Sequence, residues 1–463
     1  MVTEDIARKV FDVCLSTGAD FAELFVENTY QGRITYSFDH VDKISSNEVY
    51  GAGIRILEGT NEVYGYTNDL SIESLVSLAE KLKDSFKGVA QNIEYKFKEE
   101  FATGPINIKR LSKDISYDEK IPYLKTVYNT IKSTSDLIVY AEASLQEYSQ
   151  CVTIFNTFGK FIHDKRNQQR IQALAVASKD DIRQQATNTI GGNFDLDAFK
   201  SKDLVQFAKD VANQALIMLD APLMVGGVYP VVMHNAFGGV LFHEACGHSL
   251  EATSVALGLS VFSKMKNKKI ASDILTAIDD GTISDEWGST NIDDEGNKSQ
   301  RNILIKDGIL TSYMVDYKNG LIMHEKPTGN SRRESYKYSP TSRMTNTFIA
   351  NGESTFDDII KSTKYGLFAK KLGGGSVNPI TGEFNFAVNE GYMIENGKIT
   401  HPVRGATLIG NGKDALMHID AIANNQTFGH GVCGAKSGSI CANVGEPTIR
   451  ILNMTVGGAG GNK

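Results

Sequence analysis

Residues 240–252 read V-L-F-H-E-A-C-G-H-S-L-E-A, which puts His243, Glu244 and His248 into one apolar segment. Two imidazoles and a carboxylate are the side chains of metal-assisted hydrolysis. Neutral ring nitrogens hold Zn²⁺, and the carboxylate takes a proton from the attacking water. With only 9 histidines in the chain, the pattern is informative. Its spacing sets a geometric problem. On a regular helix an i,i+5 pair sits roughly 140° apart, too far around for one tetrahedral ion. A π-bulge absorbs one residue and returns the pair to one face. Gly247, directly before the second histidine, has no Cβ and is where such a distortion is expected. The plain alternative is a buried helix with two hydrogen-bonded histidines. Glu244 would then lie unpaired among Val240, Leu241, Phe242 and Ala245, a cost that a cation removes.

A mononuclear catalytic site needs a third protein donor and one open position. Cys246 and Glu251 are nearby candidates; Cys433, Cys441, His418 and His430 are distant ones. Spacing does not choose among them. Cys433 lies in F-G-H-G-V-C-G-A-K-S-G-S (428–439), a Gly-rich run expected as a tight loop that can approach a helix closely. Water in the fourth position would make a catalyst. A fourth protein ligand, with Cys246 or Cys441 the suspects, would make a structural metal in a peptide-binding or regulatory protein. A third reading, a small-molecule amidohydrolase, would call for a narrow closed pocket.

Other charged and polar features have simpler readings. Arg343 could bind a substrate carboxylate or an oxyanion, but Arg332, Arg333 and Arg343 are also suited to ion pairs with Glu334, Glu353 or other acids. His234, His324, His401 and His418 stand alone and default to structural roles, whereas His430 sits close enough to Cys433 to act as an outer partner of the metal site. The acidic stretch 278–299 lacks calcium-loop spacing and is expected as a solvated loop with Trp287 as a packing anchor. The Gly-rich runs at 373–376 and 457–461 do not follow a strand-to-helix phosphate pattern.

The elements that must position these residues divide by glycine content. Of 43 glycines, 11 precede residue 225 and 32 follow it. Residues 3–17 carry an amphipathic stripe of Ile6, Val10, Phe11 and Cys14. Four strand-like runs follow (FAELFVE, GRITYSF, GAGIRIL, EVYGYT), then a helical period over 71–86. Residues 88–116 read as a linker. The pattern of helix, about four strands and helix then recurs across 117–219. From 225 the chain becomes turn-rich and β-like, with one long helix expected over 236–257 and hairpin signals at Asp307-Gly308 and Asn396-Gly397. The fold class is therefore α+β. The domains are expected at 1–115, 116–224 and 225–463, the last mostly antiparallel β and carrying the metal-site helix.

The chain has 463 residues, a net charge of -7 and 41% hydrophobic residues, enough for large cores. The mild acidity argues against a dedicated nucleic-acid binder. Five widely spaced cysteines are no disulfide scaffold and fit a reducing compartment. No signal peptide and no membrane span is evident, so the expected location is cytoplasmic.

Taken together, the motifs resemble the TldD/PmbA (TldE) peptidases, in particular the metal-binding TldD type. The similarity runs through GGVLFHEACGHSLEA (238–252), GNSRRESYKYSPTSRMTNTFIANGE (329–353) and GGGSVNPITGEFNFAVNEGYMIENGKITHPVRGATLIGNG (373–412). GVCGAKSGS (431–439), VGEPTIRILNMTVGG (444–458) and the N-terminal EVYGAGIRILEGTNEVYGYT complete it. The resemblance implies a zinc-dependent peptidase acting on small unfolded or flexible polypeptides, with one Zn²⁺ per chain. It implies that His243, His248 and Cys433 are the metal ligands and that Glu244 is the general base. It also implies a dimer, either of two copies or with a TldE/PmbA-type partner.

Overall fold

The computed structural model describes residues 2–90, 92–378 and 381–460. Its N-terminal half is built on strands of unusual length. Helix α1 (Glu4–Cys14) buries Ala7, Val10, Phe11 and Cys14, the expected stripe. It is followed by β1 (Phe21–Ser37), β2 (His40–Glu58), β3 (Asn61–Thr67) and α2 (Ile72–Lys83), whose first turn is capped by the Ser71 hydroxyl. Then come β4 (Lys98–Phe101), α3 (Tyr117–Lys132), β5 (Ile138–Asn156), β6 (Lys160–Lys179), β7 (Ile182–Asn193) and α4 (Leu204–Leu219). The seven strands form one sheet in the order β3-β2-β1-β5-β6, with β4 and β7 both on β6. The stretch read as a linker contributes β4 and buries Phe97, Ile106 and Ile115.

Each helix-and-strand unit was expected to hold four strands, and each holds three long ones. The runs FAELFVE and GRITYSF are one continuous strand, β1, paired along its whole length with β2. The polar residues between them imitate a turn, yet Thr29 and Gln31 face the C-terminal half across a cavity. Side chains alternate faces along a strand. Ala22 and Leu24 pack with α1 and α2, and Ile34 and Tyr36 with α3 and α4, so all four helices cover one face. Glu23, Phe25 and Glu27 point to the other face, where the C-terminal half packs.

The C-terminal half holds two larger sheets. Strands β8 (Gly227–Met233), β15 (Tyr365–Val377), β16 (Glu383–Glu395), β18 (Ala406–Asn411) and β22 (Ile449–Gly457) pair in a closed ring, with β17 (Lys398–Val403) on β16 and β19 (Ile419–Ile422) on β22. The second sheet runs β11 (Ile309–Leu310), β10 (Arg301–Lys306), β9 (Ala277–Asp280), β14 (Asn346–Ile349), β21 (Gly438–Glu446) and β20 (Thr427–Ala435). A short ribbon, β12 (Ser331–Arg332) and β13 (Thr341–Ser342), lies beside it. Both expected hairpin turns form: Asp307-Gly308 and Asn396-Gly397 have positive φ at both residues.

The single helix expected over 236–257 is four short pieces. A 3₁₀ turn (Ala236–Gly239) leads into α5 (Val240–Ala245), then a second 3₁₀ turn (Gly247–Leu250) and a short helix (Ala252–Val255). Helix α5 lies between the two C-terminal sheets, against β14 and β21 on one side and β15 and β16 on the other.

Most of the acidic stretch expected as a solvated loop is buried: Asp279, Asp280, Asp293, Asp294 and Glu295 are at most 5% exposed, while Asp285 is exposed. Arginines of the N-terminal sheet neutralise part of it. Arg55 meets Glu295 at 2.5 Å and Arg166 meets Asp294 at 2.8 Å. Arg333 returns the favour from the C-terminal half, meeting Glu23 at 2.5 Å and lying 4.2 Å over the Phe25 ring. Trp287 is a packing anchor, with its indole N–H on the Gly431 carbonyl at 2.7 Å. Removing one partner of a buried pair leaves the other charge uncompensated, at about 3–5 kcal/mol. Arg333→Ala, which strands Glu23, is expected to lower unfolding free energy by about that amount in a denaturant titration. A change below about 1 kcal/mol would mean that the pair does not hold the halves together.

Candidate metal centre

The helix break solves the spacing problem set by the i,i+5 histidines. The expected π-bulge at Gly247 is not what forms. Helix α5 stops at Ala245, Cys246 leaves helical geometry at φ -130°, and the chain re-enters a 3₁₀ turn at Gly247. Gly247 is needed because a Cβ there would lie 2.3 Å from the Met344 sulfur. The break turns His248 back toward His243, and their ring centroids are 5.1 Å apart at 86°.

Cys433 comes to this pair on β20. One donor atom from each of His243, His248 and Cys433 lies within 4.8 Å of the others, the one such cluster among the described residues. The Cys433 Sγ is 3.4 Å from His248 Nε2. Burial pushes the Cys433 thiol up, but the His243 and His248 rings outweigh it and bring it to about 4. Burial alone acts on Cys246 and raises its thiol, and it pushes the Cys441 thiol up to about 11. Of these cysteines, then, Cys433 is the one held as a thiolate, the form that ligates a metal.

The remaining candidates fall away from the cluster on simple grounds. His430 and Cys433 are three residues apart on one strand and so project from opposite faces. His430 packs against Trp287 instead, and burial, with Arg170 and Lys202 adding to it, holds it down at about 4. Cys441 pairs with Val432 on that same reverse face. His418 is tied to the Asp414 carbonyl. Glu251 has a different place: its Oε2 is 3.2 Å from His248 Nδ1, which aims Nε2 of that ring at Cys433. Burial opposes a charge on His248, yet Glu251 and Cys433 outweigh it and raise the imidazole well above its usual range.

Arg343 ties the two carriers together. It is fully buried. Its Nη2 donates to the Cys433 carbonyl at 2.5 Å, and Nη1 donates to Ser437 Oγ at 3.0 Å and the Gly438 carbonyl at 2.8 Å. Its Nε is 3.8 Å from Glu251. The ion-pair reading of this arginine is therefore met, with Glu251 and not Glu334 or Glu353. Arg332 and Arg333 lie at the boundary with the N-terminal sheet, not at the cluster.

Glu244 stands on the outer side of α5. Its side chain is 32% exposed, and Oε2 lies 3.8 Å from His248 Nε2. The burial of Glu244 that the plain alternative would have required does not occur: Leu241, Phe242 and Ala245 are buried, and Glu244 lies partly exposed beside His248. The donors fit a metal ion. Nδ1 of His243 is buried without a hydrogen-bond partner, and a thiolate beside two imidazoles is a soft, tetrahedral-type set. Arg343 and Glu251 were not legible as a clamp, because no local spacing connects positions 251, 343 and 433.

Three family models match the chain: PmbA/TldA metallopeptidase domain 1 over residues 22–85, the central domain over 110–219 and the C-terminal domain over 226–458. A Haemophilus influenzae protein named metalloprotease TldD homolog is 36% identical, over 97% of this chain and 95% of that one. A Saccharolobus solfataricus protein named zinc metalloprotease TldD homolog is 26% identical, over 96% and 94%. Among solved structures, TldE from Thermococcus kodakarensis superimposes with a TM-score of 0.76 at 16% identity, covering 98% of this chain and 99% of that one.

Outer contacts of this kind typically carry 10–100-fold in metal affinity. Arg343→Met is expected to weaken metal binding by that factor, read by competition with a chromophoric chelator, while circular dichroism stays native. Unchanged affinity would remove the clamp role.

Proposed function

The chain belongs to the PmbA/TldD metallopeptidase family, and from that premise we propose that it is a zinc peptidase of the TldD type. The observation that carries the reading is the approach of His243, His248 and Cys433 to within 4.8 Å, with the Glu244 carboxylate beside them. These three residues would hold the ion. The name of the Saccharolobus solfataricus relative and the His₂Cys donor set both favour zinc. Among the described residues neither Cys246 nor Cys441 joins the cluster, which supports a catalytic rather than a structural metal.

When bound, the ion would polarise the attacking water and the scissile carbonyl. Glu244 takes the water's proton on a carboxylate oxygen as the new C–O bond forms. It then delivers that proton to the nitrogen of the departing amine. Glu251 and Arg343 keep His248 and the Cys433 strand from shifting during these transfers. The half-exposed setting of Glu244 leaves its oxygens free to move a proton, while its neighbours on α5 anchor the helix in the core.

The substrates we infer are small unfolded or flexible polypeptides, bound by backbone pairing along an extended edge. The segment 373–391 is the candidate edge; residues 379 and 380 lie outside the described residues. Its pairing supports part of this. Beyond Ala369, β15 pairs with β16 and no longer with β8, so among the described residues one edge of Gly374–Val377 has no strand partner. We also infer a cytoplasmic dimer, of two copies or with a TldE-type partner, that would screen the site from folded proteins. Among the described residues no helix is long and apolar enough to cross a membrane.

Glu244→Gln is expected to keep stoichiometric zinc and lose about 10²–10⁴-fold in peptide cleavage. Equal cleavage by the zinc-loaded variant would sink the base assignment. Cys433→Ala is expected to lose both zinc, by metal analysis, and chelator-sensitive cleavage. Retention of one zinc per chain would point to another third donor. Gly374 has open space where a side chain would go. Gly374→Val should therefore fold and hold zinc but raise KM for peptides; an unchanged KM would move the edge elsewhere.

A further inference from the structure

A cavity of 180 Å³ lies between the N-terminal sheet and the back of the hairpin that carries Cys433. Val432 and Cys441, cross-strand neighbours on that reverse face, form one wall. Three arginines line it, Arg166, Arg332 and Arg333, together with one carboxylate, Glu334, whose Oε2 accepts from the Ser439 N–H at 2.7 Å. Each arginine is at least nine-tenths buried, at 3%, 4% and 3% exposure.

They are not equivalent. Arg166 has Asp164 at 3.0 Å and Asp294 at 2.8 Å, and Arg333 has Glu23 at 2.5 Å. Arg332 reaches no carboxylate at ion-pair distance among the described residues. Only its Nη1 is engaged, by the Cys441 carbonyl at 2.8 Å and the Met344 carbonyl at 3.4 Å. Its Nε and Nη2 meet no acceptor among the described residues. Burial lowers its proton affinity by more than nearby Asp294 raises it, and Arg166 and Arg343 add to the lowering. A guanidinium does not escape such a position by deprotonating, so the charge stays and a counter-charge stabilises it. The Gln168 amide lines the same cavity and also has no protein partner among the described residues. A planar guanidinium fork with an amide donor beside it matches the oxygens of a carboxylate or phosphate. A single water needs only about 10–15 Å³, so the space admits such an anion with waters.

We propose that this cavity binds a small oxyanion on Arg332 and Gln168, directly behind the strand that carries Cys433. The ligand is a carboxylate or a phosphate, either free or as the carboxylate end of a peptide. The anion would supply the missing counter-charge and brace the hairpin against the N-terminal sheet. This site is distinct from the metal cluster, and its test does not depend on peptidase activity.

The measurement is the melting temperature of the full-length protein, titrated at constant ionic strength with sodium phosphate, sodium acetate, or Ala-Ala-Ala as free acid or amide, against sodium chloride. A ligand at about 100 times its Kd is expected to raise Tm saturably by about 2–8 °C. Arg332→Met replaces an unpaired buried charge by an apolar side chain of similar length, and is expected to fold and to lose the response entirely. Gln168→Leu is expected to need at least about tenfold more ligand for the same shift, and it carries the test if Arg332→Met does not fold. A response to phosphate or acetate identifies a free anion; a response to the free-acid tripeptide but not to its amide, acetate or phosphate identifies a peptide terminus. No response beyond chloride in the wild type, or an undiminished response in the folded variants, would overturn the proposal.

Discussion

The guanidinium of Arg343 fixes the relation on which the candidate metal centre depends. The histidines arrive on a short helix between two sheets, and the cysteine arrives on a hairpin 185 residues further along the chain. Nothing local holds these carriers in register. Arg343 donates to the Cys433 carbonyl, the Ser437 hydroxyl and the Gly438 carbonyl, and lies 3.8 Å from the carboxylate that orients His248. Its contacts are fixed by a rigid planar fork, which transmits position better than a flexible ammonium. A buried guanidinium that satisfied only one of these partners would cost more than it stabilised. Here it has three hydrogen bonds and a nearby acid, and the cluster inherits its geometry.

The same economy appears at the boundary between the halves. The long sheet spends one face on its four helices and the other on a polar seam. Arg55, Arg166 and Glu23 reach across to Glu295, Asp294 and Arg333. Ion pairs of this kind contribute little net stability but penalise misplacement strongly. A register slip of one residue in β1 would turn Glu23 and Phe25 toward the helices and leave Arg333 unpaired. The seam therefore sets where the C-terminal half sits, while the apolar clusters supply the stability.

Much of the chemistry was legible in the residues. The pair His243 and His248 with Glu244, the α+β class and both hairpin turns follow from spacing and turn chemistry. What failed has a common cause: local patterns were read as if their surroundings were solvent. The polar middle of β1 imitated a turn, and the acids of 278–299 imitated a loop, because their partners are distant in sequence: Asp294 and Glu295 meet arginines of the N-terminal sheet, and Asp279 meets Asn330, Thr345 and Thr347. The break at Cys246 was read as a bulge, since the Met344 sulfur that forbids a Cβ at Gly247 is almost a hundred positions away. By spacing Cys433 was one cysteine among several and only the family resemblance singled it out; the imidazoles around it separate it from Cys246 and Cys441 in space.

The distance along the chain between the donors has a consequence for biosynthesis. The imidazoles leave the ribosome 185 residues ahead of the thiolate. At roughly 5–20 residues per second, that is an interval on the order of 10–40 s. During it the nascent chain carries two histidines and a glutamate but no third donor. The strand bearing Cys433 must then pair with β21, which in turn docks parallel to β14. The three candidate donors thus come together only late, after most of the polypeptide has been made.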